Sequence, residues 1–187
     1  MKIILGSQSP RRQELLAGLG FNFEVIIADT GETYPTELTT EQIAPFIAKA
    51  KVDALLPKIR NTDLLICADT IVVLGEKIIG KPKDKVEAKK MLQDLSGKTH
   101  TVITAYCVFL GGTYYADSVS TAVTFTKISD ADISHYLEKG QPYDKAGGYG
   151  IQDWIGFIGV DKIVGSYTNV MGLPTSKIYA LLKKLGA

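Results

Sequence analysis

The feature that most limits how this chain can fold is a pair of long β-type runs, residues 99–110 and 114–125, joined through Gly111-Gly112. In the second run Val119, Val123 and Phe125 share one face while Ser118, Ser120 and Thr124 share the other, the period-two alternation of a strand. A long antiparallel hairpin explains this pattern best, so the rest of the chain has to pack on a sheet that contains it.

Around the hairpin, strand-like and helix-like segments alternate irregularly, as in a mixed α/β domain. A first strand is expected at residues 2–6 and a second at 23–27. Between them Ser9 can cap a helix opened by Pro10, where the missing N–H costs nothing, and Leu15, Leu16 and Leu19 recur at helical spacing before Gly20. Thr39 followed by Gln42 fits a capping box, with Ile43, Phe46, Ile47 and Ala50 as the apolar stripe of a helix reaching about Leu56. A buried strand is expected at 64–68, then a tight hairpin in which 71–74 and 77–79 flank Gly75-Glu76. Asp84 caps a helix running to Leu95, Ser129 starts a short one ending at Gly140, a strand falls around 157–164, and Pro174 opens the last helix.

With 187 residues, 45% of them hydrophobic, and no low-complexity linker, a single domain over 1–187 is expected. The formal net charge of +1 provides no global field for a polyanion such as duplex DNA. Nucleic acid is therefore not an expected partner, whereas a small anion held by a few placed cations is. Cys67 and Cys107 lie inside apolar runs without zinc or disulfide spacing and read as reduced core residues. The N-terminal apolar run is too short for a signal peptide or a membrane span, which gives the cytoplasm as the expected address and no membrane as a partner.

Three groups of residues can carry chemistry. Ser7-Gln8-Ser9-Pro10-Arg11-Arg12 brings backbone N–H groups, hydroxyls and two guanidinium groups to a strand-to-helix junction, at the positive end of a helix dipole. That is a phosphate cradle in physical terms, although a plain capped helix with solvated arginines uses the same residues; it is not a Walker A loop. Asp69 follows a buried apolar run, where α/β proteins place metal-binding or proton-accepting carboxylates, and where an aspartate can equally be a turn cap. Glu32 is a second loop acid that could share a divalent cation with it. Lys51, Lys81 and Lys145 lie in structured contexts, and the glycine-rich stretch Gly147 to Gly150 leads to Gln152, whose amide can read a nucleobase edge. His100 and His135 have no partner histidine or cysteine cluster and read as structural, and Trp154, Tyr143, Tyr149 and Tyr167 can stack on a base or fill a core.

Six blocks, in order along nearly the whole chain, resemble the Maf family of nucleotide pyrophosphatases. They are Ser7 to Leu16, Ala68-Asp69-Thr70, Gly80-Lys81-Pro82, Leu95 to His100, Asp144 to Gly147 with Gly150-Ile151-Gln152, and Asn169 to Pro174. The resemblance implies a Maf/ITPase-like α/β fold, an elongated mixed β-sheet flanked by helices with two lobes and a central cleft. It also implies release of pyrophosphate from a nucleoside triphosphate with Mg²⁺ or Mn²⁺. Carried over position by position, Asp69 resembles the proton acceptor, and Ser7, Arg11, Arg12, Lys51 and Lys81 the phosphate-binding set. Glu32 with Asp69 matches the acidic environment of the metal, and Arg11, Thr70 and Gln152 the specificity trio of the branch acting on dTTP and UTP. Gly31 stands where many relatives have a second acid, and Gly6 where alanine is commoner. The same resemblance admits a pyrophosphatase for modified purine nucleotides, a septum-formation regulator or a nucleic-acid-binding module, and it leaves a homodimer open.

Overall fold

The computed structural model describes residues 1–187 apart from Ala28, Asp29, Glu32 and Gln141. Among the described residues seven strands form one mixed sheet: β1 (Ile3–Gly6), β2 (Phe23–Ile26), β3 (Leu64–Leu74), β4 (Lys77–Ile79), β5 (Thr99–Leu110), β6 (Thr113–Phe125) and β7 (Val160–Val164). Their order is β2-β1-β3-β5-β6-β7, with β4 paired to β3. The α-helices among the described residues are α1 (Pro10–Gly18), α2 (Thr40–Leu55), α3 (Lys85–Leu95), α4 (Asp130–Lys139), α5 (Trp154–Gly159), α6 (Tyr167–Met171) and α7 (Thr175–Lys184). None is long and apolar enough to cross a membrane.

The contacts divide the chain into two compact units. The first contains Met1–Asp69, Thr104–Val119 and Gly172–Ala187. Here β1 is parallel to both β2 and β3, the connections passing through α1 and α2, and all four β1 residues are buried. Leu5, Leu16, Leu64, Ile66, Val108, Leu173, Ile178 and Leu182 make its core, joining α1 and α7 to the strands. The second unit contains Thr70–Ile103 and Ser120–Met171, packed around Val72, Leu92, Leu95, Phe125, Ile133, Tyr149 and Ile155.

Most expected elements form where their residue types place them. The two-glycine link between β5 and β6 has φ of 60° at Gly111 and 85° at Gly112, the left-handed backbone that this tight turn needs. Asp84 caps α3 by accepting from the Glu87 N–H at 2.8 Å, and Ser129 caps α4 through the Asp132 N–H at 3.1 Å. Gln42 Oε1 accepts from the Thr39 N–H at 3.0 Å, as a capping box requires.

Four expectations are corrected. Asp69 does not follow a strand; β3 runs unbroken from Leu64 to Leu74, because Ile71, Val72 and Val73 continue the β-branched run and Val72 pairs with Ile79 of β4. Residues 157–159 belong to a helix, since the Asp153 carbonyl accepts from the Gly156 and Phe157 N–H groups and burial falls on Ile155, Gly156 and Gly159 at helical spacing. Phe46 is 40% exposed, the buried face of α2 being Ile43, Ala44, Ile47, Ala48, Val52 and Leu55. Finally, Ser9 holds the N-cap position of α1 but does not cap through its side chain, and Pro174 stands at the N-cap of α7, one residue before the helix, not at its first position.

Both cysteines are buried and unpaired with each other, as their apolar runs imply. His100 is structural as well: it is 1% exposed, its Nε2 lies 2.6 Å from the Tyr149 hydroxyl, and Phe125 packs edge-on against its ring. Burial lowers its pKa from 6.5 to about 4, so the native fold holds a neutral imidazole that the unfolded chain would protonate. Its contribution to stability is complete above pH 6.5 and is lost as pH falls towards 4, a loss of about 3 kcal/mol. Urea denaturation at pH 7.5 and 4.5 should therefore give a markedly smaller acid loss for His100→Gln than for the parent; parallel losses would show that this ring is not the titrating group.

Candidate active site

The parallel ladder positions the first part of the site. Ile3, Ile4 and Leu5 of β1 pair with Leu64, Leu65 and Ile66 of β3, so the chain leaving β1 at Gly6-Ser7 runs beside Cys67, Ala68 and Asp69. The approach is tight at Gly6, where a Cβ would lie 2.5 Å from Cys67 Sγ and 2.7 Å from Leu55 Cδ1. Glycine fits here because the thiol at position 67 occupies the space that a methyl group would need.

Ser7, 7% exposed, is the hub of the junction. Its Oγ accepts from the Ser9 N–H at 3.2 Å and from Arg12 Nη1 at 3.4 Å, while Arg12 Nε donates to the Gly172 carbonyl at 2.8 Å. The guanidinium is thus tied to the residue that follows β1 and to the chain just before α7. Gly172 has φ of 112°, a backbone that L side chains rarely adopt. Its carbonyl is a site feature that sequence reasoning passed over; the signal was the glycine inside Met171-Gly172-Leu173-Pro174.

On β3, Asp69 is 5% exposed and its Oδ1 accepts from Lys51 Nζ of α2 at 2.6 Å. Both side chains are largely withdrawn from water, at 8% and 13% exposure, and each compensates the other for lost hydration. Cys67 reports a second cation nearby. Burial pushes its thiol up to about 12, against the opposing pull of Lys51 and Arg12. Side chains two apart on a strand share a face, which puts Cys67 and Asp69 on the side of β3 that both cations approach. Ser7, Arg12, Lys51 and Asp69 are therefore assembled inside one unit, with half-buried Arg11 beside Arg12 on α1. Glu32 lies outside the described residues, and among those described no group of three histidine, cysteine or acidic side chains could hold a metal by itself.

Thr70, Lys81 and Gln152 belong to the second unit. The Gly147 N–H donates to the Gly80 carbonyl at 2.9 Å, so the Gly80-Lys81-Pro82 segment is fastened to the glycine-rich stretch that leads to Gln152. Lys81 is exposed and Thr70 half-buried. The Gln152 Oε1 is buried and accepts no hydrogen bond from any described residue. A buried amide oxygen without a donor costs about 1–3 kcal/mol, and a ligand N–H is one way to satisfy it. Lys145 is tied down by Asp144 at 2.9 Å and Asp153 at 3.8 Å, and Tyr149 is core.

A seven-stranded mixed sheet, with Arg12 and Lys51 gathered near the buried Asp69 carboxylate, defines an α/β protein with a charged cluster in its first unit. The Maf-like protein family model matches residues 2–185, and the chain belongs to that family. The dTTP/UTP pyrophosphatase of Parabacteroides distasonis is 49% identical over 97% of this chain and 95% of its own length. That of Phocaeicola vulgatus is 50% identical over 98% and 96%. Among solved structures, a HAM1 protein from Coxiella burnetii shares the fold, with a TM-score of 0.51 at 12% identity over 98% of this chain and 99% of that one.

Proposed function

We propose that this chain is a nucleoside triphosphate pyrophosphatase that cuts dTTP and UTP between the α and β phosphates, removing them from the cytoplasmic nucleotide pool. The observation that carries this reading is the buried Lys51–Asp69 contact of 2.6 Å, on the strand face that Arg12 also approaches. Membership of the Maf family and near-half identity to two dTTP/UTP pyrophosphatases along almost their whole lengths support the same conclusion.

In the reaction a water oxygen bonds to the α-phosphorus as the bond to the α–β bridging oxygen breaks, and pyrophosphate leaves with that electron pair. The water must lose a proton, and Asp69 is the acceptor, with Lys51 holding Oδ1 so that Oδ2 faces the reacting centre. Charge growing on the leaving pyrophosphate is met by the cations this reading assigns to the phosphates, Arg11, Arg12, Lys51 and Lys81, with the Ser7 hydroxyl. Arg11, Thr70 and Gln152 set base choice.

A divalent cation, Mg²⁺ or Mn²⁺, suits the hard carboxylate oxygen of Asp69, with triphosphate oxygens and Glu32 as the other donors this reading assigns. When bound, it supplies further neutralisation of the phosphates and a more acidic attacking water. Purified protein given dTTP, UTP, CTP, ITP and GTP with either ion should release pyrophosphate, fastest from dTTP and UTP. Release of orthophosphate alone, or no preference for the two pyrimidines, would overturn the proposal.

A further inference from the structure

Base choice by a primary amide raises a physical difficulty. Uracil and thymine present an N3–H donor between two carbonyl acceptors, whereas cytosine presents an N3 acceptor beside an amino donor. A glutamine amide can match either edge by rotating half a turn. Discrimination therefore needs the segment that carries the amide to be held still, so that one orientation alone reaches the base.

Gln152 occupies the third position of a turn closed by the Asp153 N–H donating to the Gly150 carbonyl at 3.0 Å. Asp153 then stands at the N-cap of α5, and an aspartate in that position ordinarily spends its carboxylate on the first N–H groups of its helix. This one makes no such bond. Its Oδ2 accepts instead from the Tyr136 hydroxyl of α4 at 2.8 Å, with Lys145 Nζ 3.8 Å away. The carboxylate lies over Gly150, where an added Cβ would come within 2.5 Å of Oδ2. Tyr136 is 4% exposed and rests in the core of this unit. The turn that carries Gln152 is consequently closed by one carboxylate that starts at its last residue and covers its first, and that carboxylate is anchored to the hydroxyl of buried Tyr136.

We infer that Asp153 is a positioning residue that, with Tyr136, fixes the Gln152 turn and so sets the preference for uracil and thymine over cytosine. The inference rests on the reading of the chain as a pyrimidine nucleoside triphosphate pyrophosphatase in which Gln152 meets the base. Its consequence is that the preference depends on two residues that need not touch the nucleotide.

The test measures kcat and KM for UTP and CTP in the parent, Gln152→Ala, Asp153→Ala, Tyr136→Phe and the double variant Gln152→Ala/Asp153→Ala, with urea denaturation of each. Gln152→Ala and Asp153→Ala should each shrink the UTP:CTP ratio of kcat/KM by roughly tenfold, mainly through KM for UTP. The double variant should lose no more than Gln152→Ala alone, because both changes act through one amide. Tyr136→Phe, which removes a single oxygen, should move the ratio in the same direction and carries the test if Asp153→Ala does not fold. A ratio that falls in Gln152→Ala but stays constant in Asp153→Ala and Tyr136→Phe, whose effects then reach UTP and CTP equally, overturns the positioning role alone. An unchanged ratio in Gln152→Ala overturns base reading, and the inference with it. Absence of UTP hydrolysis by the parent overturns the functional reading instead.

Discussion

Asp69→Asn is expected to lower kcat for UTP by about 10²- to 10⁴-fold with little change in KM, the loss typical of removing a positioned general base. Asparagine keeps the size of the side chain and an oxygen that can still accept from Lys51 Nζ, so binding and folding should survive. The amide cannot take the proton that the attacking water gives up, so the chemical step alone suffers. Single-turnover kinetics with UTP, beside nucleotide binding measured by calorimetry, distinguish the two effects. A variant with undiminished turnover would remove Asp69 from the role of base, and one that no longer binds UTP would assign the carboxylate to substrate capture.

Lys51→Met should cost both activity and stability. The pair is mostly shielded from solvent, and deleting the ammonium strands the Asp69 carboxylate in a poorly hydrated place. Removing one member of a buried ion pair costs about 3–5 kcal/mol, whereas replacing both with neutral groups is often close to neutral. Urea denaturation of Lys51→Met should show a loss of that order, and Lys51→Met/Asp69→Asn should recover most of it. Catalysis should not return in the double variant, since both the base and a phosphate-binding cation are gone. Equal stability of Lys51→Met and the parent would mean that the contact is too hydrated to matter to the fold.

Much of this arrangement was legible in the chain because it rests on local rules. Gly111-Gly112, Asp84 and Ser129 each announce a turn or a cap through their own backbone chemistry, and each is where those rules put it. The Ser7 to Arg12 junction could be recognised from strand, proline and arginines in succession, with its helix starting at Pro10 as expected. Local rules failed where distant parts of the chain decide. Asp69 looked like the end of a strand because aspartate is poor in a sheet interior, yet β3 is paired to β1 before it and to β4 after it, and the strand runs on through it from Leu64 to Leu74. Residues 157–159 have strand composition, but Gly156 fits against the Ile151 carbonyl, where a Cβ would approach within 2.0 Å, and α5 forms. Nothing local to Lys51 announces Asp69 as its mate. Eighteen positions separate them, and only the packing of α2 on β3 makes them neighbours.

Because the carboxylate lies midway along an eleven-residue strand, and not in a loop, its aim is a matter of parity. The β1 ladder fixes the count, each mate on β3 standing 61 positions further along, from 3 to 64 and from 5 to 66. One residue inserted or deleted between 66 and 69 would exchange inside for outside and turn Thr70 or Ala68 to the side that Asp69 now occupies. Drift in this stretch is consequently confined to like-for-like replacement, while changes of length are left to the connections beyond the sheet.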